Sequence, residues 1–165
     1  GRFREAADSF ARATSIRPDD LTAASLHTTA LLALGDSDEL REARRHSIDG
    51  AGRYLTLNPD DALAWSRAAH DLINDGQVEK GLKWADRAYS INPLLCRYNV
   101  ACAHAVAGST ERAIELLEEM ANHGAVNIDW LDKDPDWNAL RDDPRFVSIV
   151  ERARQKKGTK NDPSS

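Results

Sequence analysis

Long apolar runs are missing from this sequence, and so is any excess of positive charge. No stretch approaches the roughly 18 consecutive apolar residues that a membrane-spanning helix needs, so we expect no membrane insertion. The 27 acidic residues outnumber the 22 Lys and Arg, which gives a formal net charge of −5. Because a nucleic-acid-binding protein needs a basic face, the charge balance predicts no nucleic-acid partner. It favours solubility and mildly favours basic partners.

Cysteine is also scarce, with only Cys96 and Cys102 in the chain. Their spacing on a predicted helix places the two side chains about 120° apart around the helix axis. A disulfide or a Cys-x-x-Cys metal or redox site is therefore not expected. We interpret both as small buried thiols in a reducing cytosol, which predicts a cytoplasmic location.

Sequence motifs for catalysis or cofactor binding are missing as well. The chain has no glycine-rich phosphate loop, no Gly-x-Ser-x-Gly turn and no His-Glu-x-x-His pair among its five histidines. The acidic residues from Asp132 to Asp143 are spaced like an EF-hand loop, but Trp137 replaces the required glycine and Pro135 stiffens the loop. We therefore predict no metal, no cofactor, no catalytic residues and no enzymatic activity.

What the sequence does contain is a repeated ending to its helical segments. Pro18, Pro59 and Pro93 each follow an apolar-polar pair, and they are 41 and then 34 residues apart. A recurring interval of this size is typical of a helical solenoid, in which neighbouring helix pairs bury each other's apolar faces.

The segment from Asp60 to Pro93 shows the repeat most clearly. A large residue opens the first helix, small residues follow where two helices would touch, and a glycine makes the turn; the positions are Trp65, Ala68, Ala69, Leu72, Gly76, Gly81, Ala85, Ala88 and Pro93. This spacing resembles the tetratricopeptide repeat (TPR) family, and the resemblance covers roughly residues 1–124. Gly81 stands where the family usually has alanine. Glycine there costs about 1 kcal/mol of helix propensity but permits close helix approach.

A different pattern follows at residues 125–156. It resembles the cap found after the last TPR in many bacterial multidomain signalling proteins, and it is carried by Asp129-Trp130-Leu131, Asp134-Pro135-Asp136 and Leu140 to Phe146. A terminal repeat exposes an apolar face that must be covered. The residues expected to cover it are Trp130, Leu131, Trp137, Leu140, Phe146 and Val150. We expect the polar segment 157–165 to be disordered.

Together these patterns predict an all-α fold, a TPR-like right-handed superhelix of antiparallel helix pairs with a C-terminal helical cap. The apolar spacing places helices near 2–16, 21–34, 38–57, 61–74, 77–91, 95–107, 110–123, 135–141 and 144–155. Asp19-Asp20, Asp36-Ser37, Asp60-Asp61 and Ser109-Thr110 mark helix starts. The predicted domains are the repeats at 1–124, of which the first is truncated, and the cap at 125–156. Because the chain begins in mid-repeat, we interpret it as part of a longer protein.

The resemblance also implies a binding surface. In TPR proteins the inner groove is lined by the first helix of each pair. By register, the groove candidates are Ser25, Thr29, Leu63, Ser66, Arg67, His70, Asn74, Tyr98, Asn99 and Cys102. TPRs that grip a peptide's terminal carboxylate use Lys and Asn, whereas Ser66 and His70 occupy those positions here. The groove therefore suits an amphipathic helix or an extended segment better than a charged tail.

The leading functional hypothesis is a protein–protein interaction module, a TPR scaffold without catalytic activity that binds a protein or peptide. The alternative is a regulatory or oligomerising C-terminal region of a larger bacterial signalling enzyme, such as a class III adenylate cyclase or a Ser/Thr kinase. A homodimer is a further possibility, through an apolar edge around Phe3, Ala7 and Phe10. A local basic cluster is formed by Arg41, Arg44, Arg45 and nearby His46, and we expect it on a solvated face paired with Glu39 and Glu42. The alternative for this cluster is a contact site for an acidic partner.

Overall fold

The computed structural model describes residues 2–35 and 37–160, with side chains as far as Gln155. These residues form nine α-helices and one 3₁₀ helix, and none of them lies in a strand. The α-helices are Phe3–Ile16 (α1), Leu21–Leu32 (α2), Asp38–Leu57 (α3), Ala62–Asn74 (α4), Val78–Ile91 (α5), Pro93–Val106 (α6), Thr110–Asn122 (α7), Ile128–Leu131 (α8) and Pro144–Lys160 (α9); the 3₁₀ helix is Pro135–Leu140. The predicted all-α, TPR-like fold is confirmed. Within the described ranges, no helix is both long and apolar enough to cross a membrane.

Several helices begin at the capping residues that the sequence predicts. Asp20 accepts a hydrogen bond from the Ala23 amide at 3.0 Å, and Asp61 accepts one from the Ala64 amide at 3.0 Å. Ser37 caps α3, whereas Ser109 makes no side-chain cap bond at α7. Asp36 lies outside the described residues. These caps satisfy amides that have no partner within the helix, which is why the predicted starts agree closely with the structure.

Two glycines make the fourth and fifth helices a tight pair. Gly76 adopts φ +85° in the turn between them, a conformation that a side chain disfavours. Gly81 lies where a Cβ would come within 2.5 Å of Ile73 Cγ1 and 2.8 Å of the Ala69 carbonyl oxygen. The close approach expected at Gly81 is therefore confirmed.

The chain forms two compact units, divided between Cys96 and Arg97. In the N-terminal unit, α1 packs on α2, α2 on α3, α3 on α4 and α4 on α5, while α2 also touches α4. Ala7 is completely buried in this unit, in a cluster with Ala30, Leu31 and Leu40. The predicted apolar edge is therefore corrected at Ala7, because α2 covers that position.

The C-terminal unit contains the rest of α6 and the segment predicted as a cap. Here α7 and α8 both pack on α9. Trp137 is completely buried, with ring centroids 5.6 Å from Phe146 and 6.4 Å from Tyr98. The division at 96/97 falls within the last predicted repeat, and the predicted repeat–cap boundary at 124 stays a prediction.

Two details of this unit differ from expectation. Trp130 is 68% exposed, because the short α8 turns its neighbours Ile128 and Leu131 inward and leaves the indole on the other side. Helix α9 continues to Lys160, beyond the predicted end at 155 and into the segment predicted to be disordered. The sequence there is rich in good helix formers, with Gln155, Lys156 and Lys157. Residues 161–165 lie outside the described part.

Candidate functional site

The candidate groove of the N-terminal unit is formed by α2 and α4, which are the first helices of two successive pairs. A side-chain bond joins them directly, since Arg67 Nη1 donates to Thr22 Oγ1 at 2.9 Å. Thr22, Ser25 and Thr29 follow one another on one face of α2 at helical spacing, and none of them is buried. Thr22 was not among the predicted site residues.

One stripe of α4 faces this groove. Leu63, Arg67, His70 and Asn74 are separated by four, three and four positions, and all four are partly exposed. The surrounding positions of the helix are buried; they include Ala64, Ala68, Ala69, Leu72 and Ile73. We call the four partly exposed residues the groove stripe; they are Leu63, Arg67, His70 and Asn74. The structure thus brings together four of the predicted site residues on α4.

Ser66 is a correction. Its side chain is only 1% exposed, and its hydroxyl donates to the Leu63 carbonyl at 3.0 Å. It also hydrogen-bonds the buried Cys96 thiol, whose pKa is raised by burial. Ser66 is one position away from Arg67, and about 100° of helix rotation turns it from the groove into the core. It cannot touch a partner here.

The far end of the stripe is held by polar contacts. Asn74 Nδ2 donates to the His70 carbonyl at 3.0 Å and lies 3.3 Å from His70 Nδ1. The Asn74 carbonyl in turn accepts from Arg44 Nη1 at 2.9 Å. These bonds fix the orientation of both side chains before any partner arrives, which lowers the entropy lost on binding.

At its near end the stripe opens into a cleft of about 400 Å³. Leu63 and Arg67 line it together with Thr22, Arg17 and Tyr54. Tyr54 donates its hydroxyl proton to Asp61 Oδ2 at 3.0 Å, so the carboxylate that caps α4 also positions the tyrosine. Sequence reasoning missed Arg17 and Tyr54, because Tyr54 belongs to the second helix of a pair and Arg17 directly follows one.

A buried polar network supports the groove from beneath. Asp71 is 5% exposed, and it accepts a hydrogen bond from Ser47 Oγ at 2.6 Å. Burial raises the pKa of Asp71, and the hydrogen bonds from Ser47 and Thr28 partly oppose that shift. Arg44 is 8% exposed beside this network, so its predicted place on a solvated face is wrong. Sequence reasoning missed Asp71, although a carboxylate close to the apolar positions Ala68, Ala69 and Leu72 could have indicated it.

The three remaining candidates lie on α6 in the C-terminal unit, and their side chains are buried or partly buried there; they are Tyr98, Asn99 and Cys102. Tyr98 donates to Asp134 Oδ2 at 2.7 Å, and burial raises the pKa of its phenol. Cys102 is 4% exposed and lies 3.7 Å from the same oxygen. Its predicted place in the groove is therefore wrong, and its prediction as a buried thiol is confirmed. Asn99 is partly buried.

Cys102, Asp134 and Asp136 bring three possible metal-ligand atoms within 4.8 Å of one another. The carboxylate of Asp134 is nevertheless already used. Its Oδ1 accepts from the Asp136 amide at 3.0 Å, and its Oδ2 accepts from Tyr98. Burial first, and then the two carboxylate charges, raise the pKa of Cys102, which disfavours the thiolate that a metal needs. The arrangement fits a hydrogen-bonded contact that holds the start of the 3₁₀ helix against α6.

Comparison with known proteins gives a distant similarity. No family model matches the chain. It is 29% identical over 100 residues to the peroxisomal targeting signal receptor of Kluyveromyces lactis. The aligned segment covers 59% of this chain and 18% of that receptor. It is also 26% identical over 123 residues to the receptor of the same name from Candida albicans. This second aligned segment covers 73% of this chain and 20% of that receptor.

The matched segments therefore span about one fifth of the receptors' length. By their names these relatives are receptors, and neither is named as an enzyme. The similarity gives no support to a bacterial signalling-enzyme region, so that alternative and the resemblance of 125–156 to bacterial caps stay predictions. The distant receptor similarity and the all-helical structure together fit a TPR-type, protein-binding chain.

Proposed function

We propose that this chain is a protein-binding module that holds an extended or amphipathic segment of a partner in the groove between α2 and α4. The observation that carries the proposal is the groove stripe. Leu63 offers an apolar contact, while Arg67, His70 and Asn74 offer hydrogen-bonding groups at one-turn intervals. Such a line of mixed contacts is suited to a peptide that runs along the helix.

The relatives' names add a chemical hint about the ligand. Both are receptors for a targeting signal, and one peroxisomal signal is a C-terminal Ser-Lys-Leu. Arg67 is the groove-stripe cation that could face a peptide carboxylate. A peptide ending in Ser-Lys-Leu and its C-terminal amide are therefore a useful first pair of probes. A cytoplasmic location and a homodimer stay sequence-based predictions.

The decisive experiment is a peptide selection on the wild-type chain alone. Random displayed peptides are selected on it, and synthetic versions of the selected peptides are then titrated into the wild type and the double variant Arg67→Ala/His70→Ala. If the groove is the binding surface, the double variant should bind them at least about tenfold more weakly, because these side chains supply the polar contacts. Circular dichroism should show the same helix content in both proteins.

A matched double variant, Arg12→Ala/His123→Ala, removes one Arg and one His away from the stripe. It should bind the selected peptides like the wild type. If every selected peptide bound the groove variant and the wild type equally, the groove would not be the binding surface and the proposal would fail.

A further inference from the structure

A second cleft, of about 400 Å³, lies on the other side of α2, between α1 and α3. Its floor is apolar and is made by Ala11, Ala24 and Ala43, with Pro18 at one end. Ala24 and Ser25 are adjacent on α2, and the helix rotation turns the cleft away from the groove face. The volume lies within the range of about 300–1,000 Å³ that is usual for ligand pockets.

Polar side chains in this cleft are left without partners. The Nε2 atom of His27 is buried and has no hydrogen-bond partner. His46 and Glu42 also make no hydrogen bond or ion pair within the described ranges, but both side chains are exposed to solvent. Burial lowers the pKa of His27, so its imidazole is neutral at neutral pH. That nitrogen is closed off from solvent, so a ligand in the cleft would meet the exposed Glu42 carboxylate and His46 imidazole instead.

The rim of the cleft already binds one arginine of the chain itself. Arg4 Nη1 donates to Glu39 Oε2 at 2.9 Å. Glu42 follows Glu39 by three positions on α3 and lines the same cleft, yet no cation of the described residues pairs with it. Asp8 lies close enough to act on the pKa values of both Arg4 and His27, and it adds negative charge. The cleft therefore offers the Glu42 carboxylate and the exposed His46 imidazole above an apolar floor.

We infer that this cleft binds an arginine side chain of a basic partner segment. The alkyl stem packs on Ala11, Ala24 and Ala43, as long cationic side chains do on apolar surfaces. The planar guanidinium presents several N–H donors, which can serve the Glu42 carboxylate and an imidazole together. A metal ion fits less well, because within the described residues no three ligand atoms of this cleft lie within 4.8 Å of one another.

The test uses a small probe and its uncharged isostere. The peptide acetyl-Ala-Arg-Ala-amide is titrated into the ¹⁵N-labelled chain, and the same peptide with citrulline in place of arginine is titrated in parallel. We expect the arginine peptide to shift the amide signals of Ala11, Ala24 and Ala43, and the citrulline peptide to bind at least about tenfold more weakly. The citrulline peptide keeps the shape but loses the charge-assisted hydrogen bonds.

Two variants locate the site. Glu42→Gln should weaken arginine-peptide binding at least about tenfold, since a charged hydrogen bond contributes this much. Arg67→Ala, in the groove stripe, should leave that binding unchanged. Glu42 is exposed, so its substitution should not disturb folding, and circular dichroism checks this.

Several outcomes would overturn the inference. These are equal binding of the arginine and citrulline peptides, an unchanged affinity in Glu42→Gln, and signal shifts confined to the groove stripe. The absence of any shift at millimolar arginine peptide would do the same. Zn²⁺ alone, if it bound tightly and lost affinity in His46→Ala, would assign the cleft to a metal instead.

Discussion

Ser47 Oγ donates a hydrogen bond to Asp71 Oδ2 at 2.6 Å, between two side chains that are both about 5% exposed. The bond joins α3 to α4 and so links two successive helix pairs. Buried polar contacts of this kind are stabilising only when their partners are present, because an unpaired buried group is costly.

Ser47→Ala should therefore lower the free energy of unfolding by about 1–3 kcal/mol, since it leaves the Asp71 carboxyl short of a donor. Urea denaturation followed by circular dichroism measures this change. The control is Ser90→Ala, which removes an exposed hydroxyl that bonds only its own helix at the Arg87 carbonyl. Equal destabilisation by the two substitutions would contradict a special role for the Ser47–Asp71 bond.

Asp71 should also make stability depend on pH. Burial raises the pKa of Asp71 in the folded chain above its ordinary value of 3.8, so the folded state holds this proton more tightly than the unfolded state does. The stability that Asp71 contributes is therefore complete below its unfolded pKa and is lost as pH rises through its folded pKa.

Asp71→Asn removes this titration while keeping an oxygen that can accept from Ser47. We expect the stability of the variant relative to the wild type to increase as pH rises from 3 towards neutrality, by the linkage relation. Urea midpoints at several pH values give the difference. A constant difference over that range would show that the Asp71 pKa is not raised.

Gly81→Ala should destabilise the chain although alanine is the better helix former. Its Cβ would lie 2.5 Å from Ile73 Cγ1 and 2.8 Å from the Ala69 carbonyl oxygen, so α4 and α5 would have to separate. Overpacking of this kind costs about 1–3 kcal/mol. The control is Gly52→Ala in α3, where a Cβ would meet nothing within 4 Å and the change should be neutral or stabilising. Thermal unfolding of both variants tests the contrast, and similar shifts in midpoint would refute it.

Trp137→Ala should lower the free energy of unfolding by about 3–5 kcal/mol, because the ring is completely buried beside Phe146. Trp130→Ala is the matched control, since that ring is 68% exposed and should contribute little to stability. Urea denaturation of the three proteins gives both values. A urea denaturation curve unchanged by Trp137→Ala would contradict the packing of this ring in the C-terminal unit.

Local patterns predicted most of the helices, because the caps and the apolar spacing act within a few residues. Asp20 and Asp61 start their helices as expected, and the glycine turn at Gly76 ends α4. The short α8 was missed because four residues are too few to show a period. Register correctly put Leu63, Arg67, His70 and Asn74 on one face of α4 but wrongly added the buried Ser66 to it. That this face binds a partner stays a prediction.

The sequence by itself determined the all-α repeat architecture, the close packing at Gly81 and the face of α4 that carries Arg67 and His70. These depend on helical periodicity and on residue size, which can be read along the chain. Only the tertiary structure decided that Arg44 and Ser66 are buried and that Trp130 is exposed. Burial depends on which elements pack over a residue from distant parts of the chain, and a local pattern does not contain that information.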